Sequence, residues 1–589
     1  MHNRTFNWDD AKNWTGRINS WGERLWLLVL LLAAMLLFTI NLGVPLRDWD
    51  EGTVAGVARE ISRAGFNSPD WLYPTLGGEP YLNKPPLMHW LIALAYSIGG
   101  VNEWTSRLPG AMLTALSIPL LYGIGREIFH QRSPAVFASL VYLTMLPVVR
   151  HGRLAMLDGA VVCFFLLTIW CLLRSRRNLR YTLGVGIGFG LICLTKGILG
   201  LLLGTIALLF LFWDTPRLLS SWYLWRGIIL GSVPPALWYA AQWWHYGHSF
   251  TDQAVVNQSF VRIWSTVEQH QQPPWYYLLE IVKYTSPWLV FLPAAISHTW
   301  KNRNWSWAKL ILVWGGGYLL AISVMGTKLP WYVLPIYPAI ALAVGVNLSQ
   351  LWDSSKAYPR LVIAFLIVLA MVALVGSFYF SPWSRANLEV QLILIAVAGT
   401  MSLAAWLAIQ GDRQFILILV WGMYVSLLLF MTSNHWVWEL AEAYPVKPVA
   451  ALIQSKTPAG QKVYTSFAYD RPSLNFYSDR QVIALAPIKL LQYWQQKDSP
   501  VFLLDQANLE NLQLKSVQPL GFAQGWTLIK RGGREGRGDS GSPLGNSGTL
   551  ALWSQRVAYF PKESFGGNYS SQNQQRVGGG IIPPPIKRE

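Results

Sequence analysis

The chain has 589 residues, 52% hydrophobic and only 13% charged, which excludes a disordered or fully solvated protein. Apolar runs near twenty residues long recur along it, so it reads as a polytopic membrane protein rather than a simple soluble enzyme. A net charge of +17 would suggest nucleic acid on a soluble domain, yet here Lys and Arg are scattered through short loops between apolar runs, where they set topology.

Residues 1–24 are polar and carry Arg4, Lys12, Arg17 and Arg24. The run Leu25–Val44 follows without a small-residue cleavage site, which predicts an uncleaved first span with a cytoplasmic N-terminal segment. Further apolar runs lie near 107–129, 134–149, 154–173, 182–194, 197–213, 227–244, 279–298, 308–325, 331–350, 361–380, 390–408 and 415–433. With the first they predict about 13 spans and a transmembrane domain over 25–433. Arg174, Arg176, Arg177 and Arg180, then Arg217 and Arg226, then Lys301, Arg303 and Lys309, then Lys356 and Arg360, then Arg413 fall in alternate loops. That pattern puts those loops inside and, with an odd number of spans, the C-terminus outside. Cys163, Cys171 and Cys193 sit within apolar runs and give neither a disulfide framework nor a zinc spacing.

Two external loops, 45–106 and 245–278, are far longer than a connection requires, and such loops on a rigid scaffold are where chemistry is usually found. In the first, Val54, Val57, Ala58 and Ile61 recur at helical spacing with Arg59, Glu60 and Arg63 opposite, predicting a short helix on the membrane surface. The apolar piece Leu87–Ile98 is too brief to cross and is expected at the interface. After residue 440 the periodicity changes: Lys462–Phe467, Gln481–Ala484, Pro500–Leu504 and Trp526–Lys530 read as strands with helical stretches between them. The expected fold is therefore mainly α, a transmembrane helix bundle with a small extracytoplasmic α/β domain at 440–531. The tail 532–589, rich in Gly, Ser, Asn, Gln and Pro, is expected to be disordered.

Several groups at the membrane edge can carry chemistry. Asp48, Asp50 and Glu51 follow the first span directly and offer a general base where a lipid-linked substrate would meet it. Asp48 or Asp50 equally suits a helix cap, a position that lowers a carboxylate pKa and weakens it as a base; both readings stay open. Lys84 precedes Pro85-Pro86, which fix an extended backbone and hold the ammonium at a defined place, either for a phosphate or for lipid headgroups. Asp158, close to hydrocarbon, needs a partner, and Arg150 or Arg153 is the nearest in sequence. Lys196 and Lys328 stand at external turns against the usual charge rule, which suggests an anion site.

In their order along the chain, Asp50-Glu51-Gly52, Tyr81–Leu87 with its Lys-Pro-Pro, Arg153–Asp158, Leu194–Gly197 and Lys328–Pro335 resemble the bacterial aminoarabinose-transferase-like and protein-mannosyltransferase-like membrane glycosyltransferases. The resemblance covers roughly residues 25–530. It implies the C-type glycosyltransferase fold and transfer of a sugar, with inversion, from a polyprenyl-phosphate donor to a lipid, glycan or protein acceptor outside the bacterial inner membrane. It implies Asp50 as catalytic base, with Asp158 the second acid and Glu51 beside them, and Lys84, Lys196, Arg262 and Tyr332 around the donor phosphate. Some relatives have an acid directly before the Lys-Pro-Pro and a His five residues before the loop Arg, and hold a divalent ion there. Asn83 and Asn257 occupy those places here, so neither metal nor other cofactor is expected. The rival reading is a transporter or flippase of lipid-linked sugars, which would use the same cavity without making bonds. No inverted repeat with broken helices is evident in the sequence to support it.

Overall fold

A computed structural model describes residues 21–532, apart from 66, 266–271, 355–356, 385–386, 439–444 and 497–499. Most of the predicted cytoplasmic segment and the predicted disordered tail from 533 onward lie outside the described residues.

The molecule is mainly helical. The first helix, α1, spans Trp21–Thr39 and stops short of the predicted Val44. Asn41 turns the chain at φ 49°, and its amide donates to the carbonyls of Thr432 and Ser433, tying that end of α1 to the end of the helix Gln414–Thr432. Among the described residues eight helices are long and apolar enough to cross a membrane, or nine if the bent pair Ser133–Leu143 and Leu146–Gly152 is one span. That pair bends by 58°, where extended Met145 precedes the helix containing Pro147, a residue that cannot continue the hydrogen-bond ladder behind it.

The difference from about 13 lies in the middle of the chain. Tyr181–Lys196 and Leu199–Asp214 are short, and Trp222–Tyr246 contains Pro234 and Pro235. The run 279–298 is split into Tyr276–Tyr284, Trp288–Phe291 and Leu292–Lys301, with Pro287 and Pro293 at the divisions. Tyr181–Lys196 and Trp222–Tyr246 approach each other closely: a Cβ on Gly186 would overlap the Gly227 carbonyl, and one on Gly231 the Gly186 carbonyl. This is small-residue packing, which lets backbones touch where lipid tails offer no hydrophobic drive.

The loop between the first two long helices folds into α2 (Asp50–Ala64), the hairpin β1 (Thr75–Leu76) and β2 (Glu79–Pro80), and α3 (Leu87–Gly99). The predicted polar face of α2 is not laid open at a surface. Arg59 is buried and donates to the Phe476 carbonyl at 2.6 Å, while Arg63 forks onto Asp479.

Residues 446–531 carry a five-stranded sheet in the order β4-β3-β5-β7-β6, formed by β3 (Val463–Thr465), β4 (Val482–Ala484), β5 (Val501–Asp505), β6 (Val517–Ala523) and β7 (Trp526–Arg531). β3 runs parallel to β4 and β5, and β7 antiparallel to β5 and β6. Apolar clusters form around Val449, Val463 and Leu503 and around Tyr464, Phe502 and Ile529, as the alternation of side chains along a strand requires. Strand β6 escaped the sequence pattern because Pro519 and Gly521 interrupt it and the register shifts between them.

Candidate functional site

The chain leaves α1 and makes a tight turn before α2. Trp49 has φ 64° and ψ −81°, and the Asp50 N–H donates to the Asp48 carbonyl at 2.9 Å. This is a γ-turn with positive φ, the rarer and more strained of the two kinds. The turn leaves Asp50 as the first residue of α2 and leaves the helix without a side-chain cap. The expected capping role therefore falls to neither acid. Asp48 instead accepts from Arg471 Nε at 2.6 Å and from the Ser473 backbone N–H and hydroxyl.

Asp50 accepts from Arg47 Nη2 at 2.5 Å and keeps 33% of its side chain open. Loss of water around it raises its pKa, an effect that Arg47 only partly offsets. Glu51 has the opposite setting. It is completely buried, and Arg107 grips both of its oxygens at 2.7 Å. The backbone N–H groups of Arg47 and Ala155 complete the set at 2.8 and 2.7 Å. Burial alone would raise the Glu51 pKa, but Arg107 and these donors outweigh it and hold the carboxyl below its usual range. With both oxygens occupied, Glu51 braces α2 against the helix Glu103–Ile128 and the 155 loop.

Asp158 opens the helix Asp158–Ser175 and is almost fully buried. Its partner is Lys196, at 2.6 Å, and not the expected Arg150 or Arg153. Arg150 donates to the Trp436 carbonyl and lies over the Trp438 ring. Arg153 donates to the Ile40 carbonyl and lies over Trp436. Lys196 also stands 5.3 Å from the Tyr332 ring centre.

Lys84 is held by Gln258 Oε1 at 3.1 Å. Burial, with Lys196 and Arg262 as neighbouring positive charges, pushes its pKa down to about 7, against the pull of Asp158 and Asp50. Asp50 in turn feels Asp158 and Lys196. Five predicted residues far apart in sequence thus share one electrostatic centre: Asp50, Lys84, Asp158, Lys196 and Arg262, with Tyr332 against Lys196. The Arg262 backbone is tied to the 326–328 loop, its carbonyl accepting from Thr327 N–H at 3.1 Å.

Lys328 lies at the turn that follows Met325. It is buried and its ammonium donates to the Met325 carbonyl at 2.5 Å within its own loop.

Sequence reasoning missed Gln253 and Gln258, which lie in a π-helical stretch, Thr251–Phe260. Gln253 donates to Asn83 at 2.7 Å and accepts from Asn257 at 3.3 Å. Neutral amides already joined to one another do not fit a divalent cation, which favours carboxylate and imidazole donors. Among the described residues no group of three or more His, Cys, Asp or Glu could hold a metal.

Arg47 also lines a cavity of about 260 Å³, together with Arg150, Glu280, Lys283, Trp331 and Trp438 among others. A larger apolar one, about 390 Å³, lies among Trp26, Phe137, Trp352 and Trp421, away from these charges.

Residues 83–239 match the family described as dolichyl-phosphate-mannose-protein mannosyltransferase. The chain is 30% identical, over 59% of its length and 64% of the relative's, to undecaprenyl phosphate-α-4-amino-4-deoxy-L-arabinose arabinosyl transferase 1 of Pseudomonas fluorescens. It is 26% identical to the corresponding transferase of Erwinia tasmaniensis over 56% and 61% of the two chains. It thus spans less than two thirds of these relatives. In structure it is similar to ArnT from Cupriavidus metallidurans bound to undecaprenyl phosphate, with a TM-score of 0.69 and 18% identity over 86% of this chain and 97% of that one. That likeness shows the fold. The resemblance read from the motifs is thereby matched in sequence and in fold.

Proposed function

We propose that the protein is an integral membrane glycosyltransferase that moves a sugar from a polyprenyl-phosphate donor to an acceptor hydroxyl or amine, inverting the anomeric centre. The observation that carries this reading is the gathering of a partly buried carboxylate, Asp50, with the cations Lys84, Lys196 and Arg262, Lys196 held by Asp158 and Lys84 by Gln258. The raised pKa of Asp50 makes it a stronger base than an ordinary aspartate. It takes the acceptor proton while the acceptor attacks the anomeric carbon. The bond from that carbon to the phosphate oxygen breaks, and the phosphate leaves with the electron pair, stabilised by the three cations. Asp158 holds Lys196 in place, and Tyr332 backs it. Glu51 fixes the first turn of α2.

We place the acceptor in the cavity beside Arg47, because that guanidinium lines the cavity and also contacts Asp50. The acceptor is a lipid, a glycan or a protein. The multi-pass arrangement fits the bacterial inner membrane, with the site and the sheet of 446–531 outside. Reaching about 13 spans requires the helices Tyr181–Lys196, Leu199–Asp214 and Trp222–Tyr246 and the broken 276–301 segment to cross as well. The relatives' transferase activity disfavours the transporter reading.

The test is turnover of purified protein in lipid with radiolabelled polyprenyl-phosphate sugars and a native membrane extract as acceptor. Asp50→Asn should lower transfer by about 10²–10⁴-fold, the usual worth of a general base, while still binding donor. Donor binding with no transfer by either protein, across all donors and acceptors, would instead support a transporter.

A further inference from the structure

The strained turn at Trp49 stands immediately before the proposed base, and a conformation of this kind persists only where its surroundings over-determine it. On one side the Glu51 brace does so. On the other side the restraint comes from a segment more than 400 residues later in the chain. Asp48, whose natural use at this position would be to cap α2, is bonded instead to Arg471 and Ser473. The Trp49 ring lies 6.0 Å from that of Tyr469.

The same segment follows one face of α2. A Cβ on Gly52 would run into the backbone of Ser473 and come within 2.7 Å of the Pro472 carbonyl carbon, so only glycine permits this approach. Arg59 bonds the Phe476 carbonyl and lies over its ring at 5.2 Å. Arg63 meets Asp479 at 2.8 and 3.1 Å. Positions 52, 59 and 63 fall on one side of a helix with 3.6 residues per turn. Tyr477 extends the contact, accepting from Leu46 N–H at 2.8 Å and donating to Glu103 at 3.0 Å. Glu103 is in turn paired with Lys447 at 2.5 Å.

We propose that residues 471–479 are a positioning element for the Asp50 carboxylate, with Arg471 acting through Asp48 to hold the turn that aims it. The inference rests on Asp50 being the base. Arg471 bonds Asp48, two residues before the proposed base, and acts on it through the turn. Its removal should therefore alter turnover and spare donor capture, a split that a general loss of fold would not produce.

The experiment compares wild type, Arg471→Ala, Arg471→Lys and Asp48→Asn in lipid, measuring kcat, the affinity for a polyprenyl-phosphate sugar and the melting temperature. Arg471→Ala and Asp48→Asn should each lower kcat at least tenfold with donor affinity within twofold of wild type. Arg471→Lys should recover part of the loss, and the Asp48→Asn/Arg471→Ala double variant should be no worse than the poorer single one. Should Arg471→Ala not fold, Asp48→Asn and Arg471→Lys carry the test. Wild-type kcat in the folded variants, or a fall in donor affinity that parallels kcat, would overturn the positioning role alone. No transfer by wild type under any donor would overturn the assignment of Asp50 as base, and this inference with it.

Discussion

The Asp158 carboxylate and the Lys196 ammonium meet at 2.6 Å, both mostly buried, although 38 residues separate them in the chain. Lys196 neutralises a buried acid and, under the proposed function, also faces the donor phosphate. Lys196→Ala removes both roles. It leaves Asp158 unpaired and should cost about 3–5 kcal/mol of stability, seen as a lower melting temperature, along with a loss of donor affinity. The double variant Asp158→Asn/Lys196→Met should regain most of the stability in the same melts without regaining the affinity.

Lys84 gives donor binding a pH dependence of defined sign. With its pKa near 7 in the free protein, it is charged below that value and neutral above. A sugar phosphodiester does not titrate in this range, so binding above pH 7 requires Lys84 to take up a proton. Donor affinity should be flat from pH 6 to 7 and then weaken by up to about tenfold per pH unit. Isothermal titration at several pH values measures this, and Lys84→Arg should remove the dependence.

Glu51 predicts an acid limb in stability. Its pKa lies below the ordinary 4.5 because Arg107 and two backbone N–H groups favour the charged form. Its contribution is complete above pH 4.5 and is lost as pH falls through the lowered value. Glu51→Gln should weaken the fold by about 3 kcal/mol at neutral pH by leaving Arg107 without its counter-ion. It should also flatten the acid limb in melts from pH 6 to 3.

The close pair of helices Tyr181–Lys196 and Trp222–Tyr246 predicts steric intolerance. Gly186→Leu would drive a side chain into the Gly227 carbonyl and separate the backbones. Because Lys196 ends the first of these helices, the variant should lose donor binding as well as thermal stability, whereas Gly399→Leu, at a glycine with nothing within 4 Å of its Cβ position, should keep both.

Much of the site was legible in the sequence because charge near hydrocarbon is costly and so marks a purpose. Asp158 is marked on that ground, Lys196 by its exception to the topology rule, Lys84 by the Lys-Pro-Pro that fixes it, and Asp50 by its place in a run of acids directly after the first span. Their partners are not. Arg150 and Arg153 were the nearest cations to Asp158 along the chain, but tertiary packing set them on Trp438 and Trp436 and brought Lys196 in. Lys328 shows the same limit: its exception to a topology rule marked a charge at that turn but not its bond to the Met325 carbonyl. Gln253 and Gln258 gave no signal, since a neutral amide in a polar loop has no unusual composition or spacing. The helical runs were legible even where prolines fall inside them, as in Glu103–Ile128, and less so between 276 and 301, where the apolar pattern continues across breaks in the backbone.

The first helix carries a carboxylate, Glu23, that is buried against Tyr122, Arg126 and Arg132, residues made roughly a hundred positions later. At the usual rates of synthesis that interval lasts about 5–20 s. Through that time the opening helix holds an acid whose counter-ions do not yet exist. It has to remain near the aqueous boundary or beside the insertion machinery until residues 122–132 arrive, so the order of translation itself becomes part of how this bundle closes.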